Sequence, residues 1–117
     1  MSTKSYRELI VWQKARDLAV ETYGVTSKFP PSETYGISSQ MRRASLAISS
    51  NIAEGYHRFH PKERRQFFAV AFSSGAELES QLEIAQILFP KNDYTKTASL
   101  LDEVIRLLNT FINNSSK

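Results

Sequence analysis

The residues with most chemistry in them fall in one segment, Gln40–Arg65, which reads QMRRASLAISSNIAEGYHRFHPKERR. Six of its side chains are basic: Arg42, Arg43, Arg58, Lys62, Arg64 and Arg65. Two acids, Glu54 and Glu63, oppose them, so six against two leaves a local +4 in a chain whose total is +3. Everything outside the segment therefore sums to −1. His57 and His60 lie in the same stretch and add charge when protonated. Lys and Arg at this density suit phosphate, which they bind through charge and counterion release, and Arg adds a bidentate fork. Tyr56 and Phe59 interleave with His57, Arg58 and His60, as rings do where unpaired bases stack. The opposing reading is structural. Arg42 and Arg43 would pair with Glu54, Glu77 or Glu83 across packed helices, and the basic turn would simply be solvated.

Other constellations are weaker. Glu54 and His57 have the E-x-x-H spacing that helical bundles use, on facing helices, to hold two metals. A second such pair is missing, because the only other histidine, His60, lies beyond a helix break. No metal site and no cofactor is expected. Asn51 and Glu54 share a helix side and are expected to hydrogen-bond with Arg43 or Gln81, fixing register between helices. Glu77, Glu79 and Glu83 form an acidic stretch, suited to a neighbouring subunit's basic helix or to solvent. Trp12 and Tyr23 read as packing residues. No nucleophile has a base and an elbow to organise it, and the glycines at 24, 36, 55 and 75 form no phosphate loop. An enzyme is not expected.

These residues must be positioned by helices. Trp12, Ala15, Leu18, Ala19 and Tyr23 recur at helical spacing within a first helix over about 8–27, which Pro30 and Pro31 end. Ile37, Met41, Ala44, Ile48 and Ile52 form one stripe of a second helix over 37–56, with Gly55 as a C-terminal breaker. Pro61 opens a third helix over 61–88, where Phe67, Ala71, Leu78, Leu82 and Ala85 form the stripe. Tyr94, Ala98, Leu101, Ile105, Leu108 and Ile112 make a heptad-like seam in a fourth helix over 94–113. The polar tail 113–117 reads as frayed. Nothing alternates like a strand. The chain of 117 residues therefore reads as one all-α domain, an antiparallel up-down four-helix bundle.

Second apolar stripes remain. Leu46, Phe68, Phe72, Leu100 and Val104, with Glu54, are expected at an interface between copies, since large apolar patches are seldom left in water. The absence of cysteine excludes disulfides and thiolate metal sites and fits a reducing cytoplasm. The apolar run Leu9–Trp12 is too short for a signal peptide or a membrane span, so no membrane partner is expected.

The strings LIVWQKARDLAVETY (9–23), FPPSETYGISSQMRRASLAISSNIAEGYHR (29–58) and AELESQLEIA (76–85) carry a family resemblance. The chain resembles the bacterial four-helix proteins encoded in intervening sequences of 23S ribosomal RNA genes, also labelled S23 ribosomal proteins. The likeness spans about residues 6–112. It implies an up-down four-helix bundle and a ring-like homopentamer. A related branch implies more: a basic pentamer that binds RNA and a reverse transcriptase, as the accessory protein of diversity-generating retroelements. The chain departs from the pattern at Ser49, where many relatives have proline, and at His60, where many have a Ser or Thr cap. What the residues and the resemblance imply together is a non-catalytic, oligomeric RNA-binding accessory protein. The alternative is a protein–protein scaffold that binds no nucleic acid.

Overall fold

The computed structural model describes residues 5–114, and all its regular elements are helical among them. Of the tail expected at 113–117, Asn113 and Asn114 instead belong to the last helix, and 115–117, like the first four residues, lie outside the described residues. A 3-10 turn, Tyr6–Glu8, precedes α1, Ile10–Thr26. Between the two, Leu9 is extended, so the first helix starts later than its sequence pattern implies. A second 3-10 turn, Pro31–Glu33, occupies the proline-rich connection. Then follow α2, Ile37–Tyr56, α3, Pro61–Leu88, and α4, Thr95–Asn114.

Each helix packs on the next in sequence, and α1 also packs on α4. This cyclic adjacency with short connections is the up-down four-helix arrangement. The rod measures 44 × 23 × 23 Å. Its α2–α3 turn and the start of α1 share one end. The α1–α2 and α3–α4 connections share the other.

The core follows the expected stripe closely on α2, where Met41, Ala44, Ile48 and Ile52 are buried. On α3 the buried run is Phe68, Ala71, Gly75, Leu78, Leu82 and Ala85, so Phe68 rather than Phe67 faces inward. On α4 it is Thr97, Leu101, Val104 and Leu108. Two residues expected at an interface between copies are therefore core residues of the bundle: Phe68 is 6% exposed and Val104 is fully buried. Phe72 and Leu100 are half-buried and pack against that core. Of the expected interface set only Leu46 and Glu54 are exposed, and Glu54 already pairs with Arg58 at 3.0 Å.

Gly55 has a different role from the one its type implies. It lies inside α2, and no described glycine has positive φ. A Cβ there would sit 2.9 Å from the Phe68 ring and 3.1 Å from Phe67 Cβ. Its missing side chain lets the Phe68 ring pass between α2 and α3 to meet Phe111 edge-on, 5.4 Å between centroids. At the other end Phe29 packs on Phe89 at 4.6 Å, and the Tyr94 hydroxyl donates to the Phe89 carbonyl at 2.8 Å. Both ends are thus closed by aromatic packing.

Candidate functional site

The six basic side chains do not form one patch. Arg42 and Arg43 lie near the start of α2, and the α2–α3 turn lies beyond its end. Thirteen residues separate Arg43 from Tyr56, about 20 Å at 1.5 Å per residue. The two groups therefore act separately.

Arg42 is a structural residue. Its Nε donates to Thr26 Oγ1 at 2.8 Å, and its guanidinium lies 4.6 Å from the Tyr23 ring centre. Thr26, itself buried, donates to the Thr22 carbonyl at 2.7 Å. The arginine ties α2 to α1, and neither partner is the glutamate expected for it. Arg43 lines a shallow groove of about 500 Å³ between α2 and α3, with Gln40, Ser74, Glu77 and Gln81. The expected link from Asn51 and Glu54 to Arg43 or Gln81 is not formed. Asn51 Nδ2 instead donates to the Ala47 carbonyl at 2.8 Å, and Gln81 Oε1 is buried without a partner among the described residues.

The other four cations gather at the α2–α3 turn. His57, which follows α2, is exposed, and its ring meets those of Tyr6 and Tyr56 edge-on at 5.9 and 5.5 Å. Arg58 folds back along the bundle. Its Nη2 reaches Glu54 at 3.0 Å and its guanidinium sits 4.6 Å from the Phe67 ring centre. Phe67, displaced from the core by Phe68, is the seat for this cation. Arg64 Nε donates to the Arg58 carbonyl at 2.8 Å, clamping the turn to the first coil of α3. Proline at the first position of α3 disfavours helical backbone at His60, which is extended at φ −89°, ψ 128°. The side chains of Lys62 and Arg65 make no hydrogen bond or ion pair among the described residues. At the tip stands Phe59, 91% exposed.

The E-x-x-H pair at Glu54 and His57 is taken up otherwise, by Arg58 and by the two tyrosine rings. Among the described residues no three metal-ligating side chains converge. No described helix is long and apolar enough to cross a membrane. The sequence reading missed the Thr22–Thr26–Arg42 tie, although threonines four apart on the buried side of α1 are its signal. It also missed the 3-10 turn that brings Tyr6 over Trp12, 5.0 Å away, and over His57.

A protein of unknown function from the S23 ribosomal protein family of Bacteroides thetaiotaomicron has a similar crystal structure. The two share a TM-score of 0.76 and 20% sequence identity over 88% of this chain and 98% of that one, a likeness of fold. No curated protein matches the chain. The sequence itself places the protein, because residues 7–110 match the family described as 23S rRNA-intervening sequence protein, and the chain belongs to that family.

Proposed function

We propose that this is a non-catalytic RNA-binding accessory protein of the cytoplasm, and that it binds through the α2–α3 end of the bundle. One observation carries the reading. Four cations, Arg58, Lys62, Arg64 and Arg65, surround a single turn, and Lys62 and Arg65 form no ion pair among the described residues. Free cations on a rigid turn are the chemistry that phosphate backbones recognise. The family's name, which points to ribosomal RNA genes, agrees with a nucleic-acid partner. Arg42 is left out of this site, because Thr26 and Tyr23 already hold it. Arg43 is a separate, lesser contributor.

The test is a binding isotherm against a structured RNA at several salt concentrations. Each phosphate contact contributes roughly 0.7 to 0.9 to the slope of log affinity against log salt. Lys62→Glu with Arg65→Glu should weaken binding and flatten that slope. Unchanged affinity and slope would overturn the reading.

A second reading, a protein–protein scaffold, is favoured by the apolar end of α3, where Ile84, Ile87 and Leu88 are exposed. Self-association through that face, as a homopentamer by family likeness, is compatible with either reading.

A further inference from the structure

We infer that the α2–α3 turn selects single-stranded over duplex RNA, by stacking one unpaired base on Phe59; this rests on the RNA-binding reading above. Phe59 is 91% exposed, a position that costs an aromatic side chain its burial and does nothing for this bundle's core. The turn gives it no apolar neighbour to fold onto. Phe68 and Phe111 already close this end of the core, and Arg58 occupies the face of Phe67.

The turn is also fixed on both sides of the ring. Before it, the Arg58 amide donates to the Gly55 carbonyl at 3.1 Å, and the Arg58 carbonyl accepts from Arg64 Nε at 2.8 Å. After it, Pro61 follows an extended His60. A ring presented on an ordered backbone loses little freedom when it binds. Lys62 and Arg65, at the start of α3 just after the ring, offer cations to the phosphates next to a stacked base. An A-form duplex offers phosphates to those cations but no free base face to the ring, so only a single strand satisfies both.

The molecule supplies its own control. Tyr35 is 95% exposed at the opposite end of the bundle, outside the basic turn. Affinities would be measured by fluorescence anisotropy, with a labelled oligouridine and an RNA duplex of equal length at fixed salt. Phe59→Ala is expected to lose between about 5-fold and about 150-fold for the single strand, the span of one lost base–aromatic stack. Its duplex affinity and salt slope should stay as in the parent, Phe59→Trp should keep the single-strand affinity, and Tyr35→Ala should change neither. Circular dichroism checks that each variant folds. If Phe59→Ala binds oligouridine as the parent does while Lys62→Glu with Arg65→Glu loses it, stacking is overturned and the RNA reading stands. If the charge variant also binds unchanged, both fall. If Phe59→Ala loses binding to anionic phosphatidylserine vesicles and keeps oligouridine, the ring serves a membrane surface and the inference is wrong.

Discussion

At the scale of single residues, side chains of one type divide sharply by what they touch. Arg42 and Arg65 both belong to the sequence's basic segment, yet the side chain of the first is bonded to a buried threonine and that of the second to no side chain or carbonyl among the described residues. Arg42→Ala should therefore destabilise the fold by about 1–2 kcal/mol, from one lost hydrogen bond and one cation–π contact. RNA affinity should not move. Urea unfolding and anisotropy on the same preparation check both halves, and a large loss of affinity without loss of stability would return Arg42 to the binding site. Asp93 shows the same dependence on contact. Its carboxylate accepts from the Thr95 amide at 3.0 Å at the start of α4. That bond, then the Thr95 hydroxyl, then the charge of Lys28, outweigh a small desolvation and hold its pKa below the ordinary 3.8. The folded state then binds fewer protons than the unfolded state in this interval, so its contribution is complete above 3.8 and is lost as pH falls through the lower folded value. Asp93→Asn keeps a capping oxygen but cannot titrate. Urea midpoints of parent and variant, followed from about pH 6 down to about pH 2, should converge in acid. A constant gap across that range would show that the carboxylate contributes no linkage.

At the scale of the helix, the sequence pattern matched most of the buried run on α2 and α3 and half of its expected stripe on α4. On α2 Ile37 is half-buried. On α3 only Phe67 gives way, to Phe68, while Ala71, Leu78, Leu82 and Ala85 are buried as expected. On α4 the buried run passes through Thr97 and Val104, so Ala98 and Ile105 stand half-buried beside it. Gly75 and Thr97 are buried residues that carry little or no apolar signal. Gly55 misleads for a related reason, since a glycine near a helix end reads as a breaker when here it makes room for a neighbour's ring. The basic turn was legible as composition. Its separation from Arg42 and Arg43 was not, because adjacency in sequence conceals the length of a helix. The glycines give a paired prediction. Gly55→Ala places a methyl 2.9 Å from Phe68 and should cost about 1–3 kcal/mol as the ring is displaced. Gly24→Ala, in an exposed position of α1 with nothing within 4 Å of the new methyl, should stabilise by about 0.5–1 kcal/mol. Thermal unfolding of the two variants should move in opposite directions, and equal shifts would show that backbone propensity, not the Phe68 contact, governs both.

At the scale of the whole molecule, the two ends of α3 differ in chemistry. Its first turn carries Lys62, Arg64 and Arg65, and its last carries Ile84, Ile87 and Leu88, where Ile87 is 80% exposed. These three are spaced i, i+3, i+4 and so share a face. Twenty-five residues separate Lys62 from Ile87, about 37 Å along the helix. An oligomer held through the apolar end would leave the basic turns uncovered. In a closed ring every subunit is related by rotation about one axis, so all the basic turns would lie on the same rim. Their fields would add, and a modest excess per chain would become a strong one. Charging the apolar end should then affect RNA binding without touching a binding residue. Ile84→Glu with Ile87→Glu is expected to reduce the mass seen by light scattering to that of one chain. It should also flatten the salt dependence of RNA binding, because each particle then neutralises fewer phosphates. Both substitutions are at exposed positions, so the helical circular dichroism signal should persist. A variant that keeps the parent's mass would place the contact between copies elsewhere on the bundle. A variant that becomes a single chain yet keeps the parent's salt slope would mean that each basic turn binds alone.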